Sequence, residues 1–418
     1  MSNVIQISAN RVNQTMLNHE QARKTVIDQV AAIKRPPAKA GVSIWNALGF
    51  VLAEEIKTDR DYPSFHRSTR DGYAVKAAEV SPSATLQCAG EIKAGDTVHE
   101  SLAPGTCVQI MTGAAVPAGA DAVVMIEHTQ REGDLVRFER TAASGQNIVP
   151  RASEARAGQI ILTPGTRLGY AELALAAQVG AVELQCAKKP RVAILSTGDE
   201  VVLLGQTPGE FQIRNSNSVS LAAQVHLAGG DPVILGNAPD NLEALLDKIE
   251  LGLHEDILVL SGGVSMGKYD LVETALKELG TEFYFDAVAI RPGKPAVFGM
   301  CRGVPVFGLP GNPVSTMVTF ELFVTPSIDL LGGAEARPLP LLEARLGEAM
   351  HEKPGLAHFL PARVEWQAGA PVVKALKWQG SGDVAAIARA NCFLVIGPER
   401  EKIDAGETVL VLLRKDII

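Results

Sequence analysis

Cysteine is scarce in this chain: five residues in 418, at positions 88, 107, 186, 301 and 392, odd in number and never spaced CxxC. That usage excludes a disulfide framework and a cysteine-based structural zinc site, and it fits a reducing, cytoplasmic setting. Histidine is also sparse, and His66, His128 and His226 sit in no metal-ligand spacing; no HxxxH or HExxH occurs. No stretch approaches the ~20 apolar residues that span a bilayer. The opening residues lack the basic and apolar regions of a signal peptide, so none is expected. There is no cationic excess: 39 Lys+Arg against 47 Asp+Glu give a net charge of −8. A nucleic-acid-coating surface or a polybasic membrane surface is therefore not expected, although a local cationic pocket is compatible with this balance.

Aromatics are few, at 5%, whereas Gly (39) and Pro (24) are plentiful. A chain of this length suggests about three domains, and the glycines and prolines suggest many tight loops. Residues 18–32 carry apolar positions at helical spacing (Ala22, Val26, Val30) and end at Pro36-Pro37. A second helix is expected over 43–55 and a loop over 59–68. Short β-runs follow at 73–75, 107–111, 122–127 and 135–139, the mark of a small all-β domain. A helix is expected at 170–180.

From residue 191 the period changes. Strands at 191–195, 232–235, 257–260 and 304–308 alternate with helices at 216–228, 241–252, 270–279 and 315–331, which predicts a parallel sheet with right-handed crossovers. Beyond Gly332-Gly333, β-runs at 362–366, 372–376, 392–396 and 408–413 predict a small C-terminal β-domain.

The α/β block places Gly-bearing loops after three strands: STGDE (196–200), SGGVSMGK (261–268) and LPGNPVS (309–315). At the carboxyl edge of a parallel sheet such loops face the ligand crevice, and their backbone N–H groups approach phosphate or another oxyanion. The candidate anion cradle is Ser196, Thr197, Gly198, Ser261, Gly262, Gly263, Ser265, Gly311 and Asn312. The middle loop satisfies GxxxxGK, but Tyr269 stands where a P-loop has the Mg²⁺-binding hydroxyl, so a true P-loop is disfavoured. Plain tight turns are the alternative reading of any one of these loops.

Asp199, Glu200, Asp240 and Asp270 lie close to the loops. Carboxylates beside an anion cradle suit a bridging Mg²⁺; helix N-capping is the competing role for Asp240 and Asp270. In RPGKP, Arg291 and Lys294 sit with Pro295 in a stiff turn whose paired cations suit a tetrahedral oxyanion, or else form a solvated hairpin tip.

Taken in order, DGYAV (71–75), IMTGAAVP (110–117), SGQNI (144–148), STGDE (196–200), SGGVSMGKYD (261–270), RPGKP (291–295), LPGNPVS (309–315) and GSGDVAAIARANC (380–392) resemble the molybdopterin molybdenumtransferase family, the bacterial MoeA-type proteins and the C-terminal domain of gephyrin. The resemblance runs from about residue 18 to the C-terminus. It implies a multidomain α/β and β fold: a disordered tail (1–17), a discontinuous helical/linker domain (18–58 and 146–188), an inserted β-domain (59–145), a molybdopterin-binding α/β domain (189–335) and a C-terminal β-barrel-like domain (336–418).

The activity it implies is molybdate insertion into adenylated molybdopterin, with Mg²⁺-dependent hydrolysis releasing AMP, in a cytoplasmic homodimer whose cleft is shared between subunits. Molybdopterin adenylyltransferase and molybdoenzymes or their chaperones are the implied partners. By motif, Asp71, Thr112, Glu200, Asp240 and Asp270 correspond to functional positions, with Glu200, Asp240 and Asp270 as the Mg²⁺ set. Lys294, Ser315 and Ser381 match the segments that look like the molybdate site.

The chain departs from the family at four places. Arg70 replaces a Met, Glu154 stands in an altered Arg-Gly-Glu-Asp segment, and Ala287 and Leu356 replace basic residues. These departures suggest a divergent paralogue, and they leave two alternatives open. One is a non-catalytic or altered-specificity protein that binds molybdopterin as scaffold or carrier. The other is a Mg²⁺-dependent nucleotide pyrophosphohydrolase, which rests on fold analogy and is disfavoured by the retained 380–392 segment.

Overall fold

The computed structural model describes residues 16–98, 100–263 and 271–417. Its contacts divide the chain into two compact units: Gly41–Leu48 with Leu52–Gln185, and the remainder, which comprises Gly49–Val51, Cys186–Ile418 and the described residues up to Ala40. The tail expected over 1–17 lies almost wholly outside the described residues.

The larger unit holds the N-terminal helix His19–Ala31, closed by a capping box between Asn18 and Gln21. Its buried stripe of Ala22, Val26 and Val30 is the one the sequence spacing predicts. The central sheet has six strands. Asp231–Ala238, Arg191–Thr197, Ile257–Ser261 and Val304–Leu309 lie side by side and parallel, as expected. Val297–Cys301 and Glu282–Phe285 then extend the sheet antiparallel, so it is mixed rather than wholly parallel. The sequence reading missed these two strands because they are short and flank the RPGKP turn, where no crossover helix separates them.

Both sheet faces are covered. Val192, Ile194, Val259 and Phe307 join one core, whereas Ala193, Leu195, Leu258 and Leu260 join the other. Fully buried parallel strands read as continuous apolar runs for this reason.

Helix Ser216–Ala228 falls where the sequence places it, between the Asn215 cap and Gly229, whose φ of 97° ends it. The helical run Pro313–Leu331 is long and apolar enough to cross a membrane, with 78% of its apolar window buried. This corrects the expectation that no stretch has that length and composition. Val314, Val318, Phe320, Leu322 and Ile328 all pack into the unit's core. A π-helical turn at Phe320–Val324 interrupts the run.

After this helix, Leu341–Leu346, Ala357–Gln367, Ala370–Ala375, Cys392–Ile396 and Thr408–Leu413 close into a five-stranded barrel, because Ala357–Gln367 pairs with both Ala370–Ala375 and Cys392–Ile396.

The smaller unit is built on a six-stranded sheet in the order Ala122–Met125, Gly72–Val75, Thr106–Ile110, Thr85–Ile92, Leu135–Phe138 and Thr129–Glu132, with helix Tyr170–Gln178. Gly72 is obligatory at its place: a Cβ would lie 1.9 Å from the Val124 carbonyl oxygen. The helix expected over 43–55 is absent. Only a 3-10 turn forms at Ile44–Asn46, and Gly49 turns the chain with a φ of 80°.

Candidate functional site

Strand Arg191–Thr197 delivers Ser196 and Thr197 to the carboxyl edge of the larger unit's sheet. Ser196 is buried, its hydroxyl 3.1 Å from the Asn215 side-chain oxygen and 2.9 Å from Ser218 Oγ. Asn215 caps the following helix by accepting from the Ser218 N–H. The neighbouring strand Ile257–Ser261 runs into Gly262 and Gly263, with φ of 100° and 64°. A side chain there would strike its surroundings: a Cβ at Gly262 would sit 2.7 Å from Thr197 O, and one at Gly263 2.8 Å from Thr197 Oγ1. These glycines therefore serve close backbone approach between loops as well as the turn itself.

Asn217 ties the second loop to the third, since its Nδ2 donates to Ser261 Oγ at 2.9 Å and to Gly311 O at 2.7 Å. In the third loop Asn312 precedes Pro313 at the helix start and makes no side-chain cap bond.

The three loops surround a cavity of about 470 Å³, within the range of small-molecule sites. Ser196, Thr197, Gly198, Ser261, Gly262, Gly263, Gly311 and Asn312 line it, with Glu200, Asp240 and Pro295. Ser265 and Asp270 fall outside the described residues. Among the described residues the cation on its wall is Arg214, whose Nε donates to Gln206 O at 3.1 Å. Sequence reading passed over Arg214, Asn215 and Asn217. The signal for Asn215 was its place at a helix start, whereas Arg214 and Asn217 carry none, since their role depends on what faces them.

Arg291, Lys294, Ser315 and Ser381 are not on the cavity wall. Arg291 pairs in parallel with His358 of the barrel, Lys294 is exposed, and Gly293 packs against Thr319 and Ile290. Ser315 is buried, and its carbonyl accepts from Thr319 Oγ1. The loop of Ser381 meets the same helix start, because Val314 N–H donates to Ser381 O at 2.9 Å. The departure segment 355–359 lies alongside the RPGKP turn: buried His358 has Nδ1 3.0 Å from Glu352 and Nε2 3.0 Å from Lys353 O.

The electrostatics of the cavity centre on Asp240. It does not cap its helix, because Asn241 does so through the Ala244 N–H. Desolvation, then the charges of Asp199 and Glu200, hold its carboxyl above the usual range. Its N–H donates to Asp199 Oδ1 at 3.1 Å. Among the described residues no three carboxylate, histidine or cysteine side chains form a ready metal cage. Glu200 and Asp240 nevertheless fit a hard divalent ion, which would relieve their mutual repulsion and leave coordination sites for phosphate oxygens and water. Thr197 Oγ1 and Asn217 Oδ1 are buried with no partner among the described residues.

In the smaller unit the structure brings Asp71 and Thr112 together. Thr112 N–H donates to Asp71 Oδ1 at 2.6 Å. That bond, with the Thr112 hydroxyl, holds the carboxyl below its usual range. Glu154 is paired with Arg67 at 3.3 Å, and Arg151 with Asp61 at 2.7 Å.

Family models match along the chain. Residues 17–180 match the MoeA N-terminal region (domain I and II), residues 193–329 a probable molybdopterin binding domain, and residues 343–413 the MoeA C-terminal region (domain IV). A molybdopterin molybdenumtransferase of Haemophilus influenzae is 33% identical over 402 residues, covering 95% of this chain and 98% of that protein. One from Nostoc sp. is 35% identical over 388 residues, covering 89% and 88%. A crystal structure of a molybdopterin biosynthesis MoeA protein from Pyrococcus horikoshii superposes with a TM-score of 0.78 at 28% identity, covering 96% of this chain and 100% of that one.

Proposed function

The chain belongs to the MoeA-type molybdopterin molybdenumtransferase family, and from that premise we propose that it inserts molybdate into adenylated molybdopterin, releasing AMP. The observation that carries this reading is the composition of the 470 Å³ cavity: three glycine-bearing loops, two carboxylates and one guanidinium on a common wall.

The loop N–H groups and Arg214 bind the phosphates of the adenylated substrate, and the glycines let the backbone come close. Glu200 and Asp240 would hold Mg²⁺, which when bound supplies charge neutralisation at the pyrophosphate. Water adds to phosphorus, the phosphoanhydride bond breaks, and AMP leaves as the monoester. Glu200 accepts the proton of the water at its carboxylate. Molybdate is the co-substrate, and its proposed binding residues are Lys294, Ser315 and Ser381, the last in the loop that meets the start of the Pro313 helix. Asp71 and Thr112 are proposed to complete the catalytic set in a homodimer. The four-part domain division, the cytoplasmic location, and contacts with the adenylyltransferase and with recipient enzymes belong to the same reading.

The test mixes purified protein with adenylated molybdopterin, molybdate and Mg²⁺ and follows AMP and active cofactor. AMP release coupled to metal insertion supports the proposal; tight binding without AMP sinks it. That second outcome is the one expected of a carrier paralogue, a reading favoured by the single cation on the described wall.

A further inference from the structure

All five cysteines are free and buried, and two of them face one another. Strand Thr85–Ile92 runs parallel to Thr106–Ile110 with Cys88 directly opposite Cys107. Both side chains enter the same core cluster, so both project from one face of the sheet. Adjacent strands lie about 4.8 Å apart, inside the roughly 4.4–6.8 Å Cα separation that a disulfide spans.

The two thiols differ. Burial first, and then the neighbouring Cys88, push the Cys107 thiol up to about 12. Cys107 is fully enclosed, whereas Cys88 is 8% exposed and is followed by exposed Ala89, Gly90 and Glu91. The Cys88 thiol donates to Gly90 O at 3.4 Å, on this more open side of the strand. The ladder register shifts just beyond Cys88, between it and Glu91, so the strand has slack to adjust where a bridge would close.

We propose that Cys88 and Cys107 are a redox-active thiol pair that a peroxide closes into a reversible disulfide. The Cys88 sulfur attacks one peroxide oxygen, the O–O bond breaks, and the departing hydroxide takes up the Cys88 thiol proton to become water. Cys88 is then a sulfenic acid, oxidised by two electrons. The Cys107 sulfur displaces the hydroxyl, which leaves as a second water with the Cys107 proton, and the Sγ–Sγ bond forms. Two thiols and one hydrogen peroxide thus give one disulfide and two waters, and a dithiol reductant reverses the change. The bridged strand runs straight on to Thr112, whose N–H binds Asp71, so the bridge acts on one of the proposed catalytic contacts.

The full-length protein is treated with hydrogen peroxide, its remaining thiols are blocked with N-ethylmaleimide, and it is digested without reduction for mass mapping. A Cys88–Cys107 linked peptide from monomer-sized protein is expected, with both thiols restored by dithiothreitol. Sulfenic, sulfinic or sulfonic Cys88 without the link, a bridge to another cysteine, or unchanged thiols would each overturn the proposal. The wild-type map stands whether or not variants fold. In Cys107→Ala, the dimedone adduct of a sulfenic acid is expected at Cys88. Oxidation of Cys107 at an unchanged rate in Cys88→Ala would refute the assigned order.

Discussion

Glu200 and Asp71 are both carboxylates on motif loops, yet their surroundings ask different things of them. Glu200 stands on the cavity wall with Asp240, whose carboxyl is raised by desolvation first and then by the charges of Asp199 and Glu200. Glu200→Ala is expected to abolish AMP release while leaving circular dichroism and thermal midpoint essentially unchanged; unaltered turnover would show that the acidic set was misassigned. Asp71 is held in its charged form by the Thr112 N–H and hydroxyl. A carboxyl depressed on folding contributes stability above its unfolded value, and the contribution is lost as pH falls through the folded one. Wild type and Asp71→Asn should therefore differ in thermal midpoint at neutral pH and converge below about pH 4; parallel profiles down to strong acid would contradict this.

At the scale of the element, periodic patterns were legible and aperiodic ones were not. Helix Ser216–Ala228 was readable because an Asn cap, an apolar stripe and a terminal Gly all agree. The stretch 43–55 carries helix-forming residues, but Gly49 at φ 80° overrides that propensity. Strand Gly72–Val75 depends on a missing side chain. Gly72→Ala puts a methyl against the Val124 carbonyl and should cost about 1–3 kcal/mol, measurable by urea unfolding. Asn217 is the strap between two cradle loops, and its two hydrogen bonds are worth about 1 kcal/mol each. Asn217→Ala is expected to weaken AMP binding about tenfold by calorimetry and to lower the thermal midpoint by a few degrees; unchanged affinity would mean that the loops hold their places without it.

At the scale of the whole molecule, the larger unit is tied together by an inner ion pair that sequence gave no reason to expect. Asp329 is fully buried and lies 2.6 Å from the Arg337 guanidinium, and the Arg337 N–H also donates to it at 3.0 Å. Arg23 of the N-terminal helix donates to Leu322 O and Arg337 O at 2.7 and 2.6 Å. One knot thus joins the first helix, the long buried helix and the segment entering the barrel. Asp329→Ala should destabilise the fold by about 3 kcal/mol, the loss typical of breaking a buried pair, seen as a lower urea midpoint with unchanged m-value.

The sequence by itself determined the family through its ordered motifs, the alternation of strands and helices, and the glycines of the three loops, because each of these is written in neighbouring residues. Only the tertiary structure decided that Arg214 and Asn217 share the cavity wall with residues far along the chain, that Arg291 and Lys294 do not, and that Cys88 meets Cys107. Those facts depend on crossovers and strand register, which bring together positions that no local pattern relates.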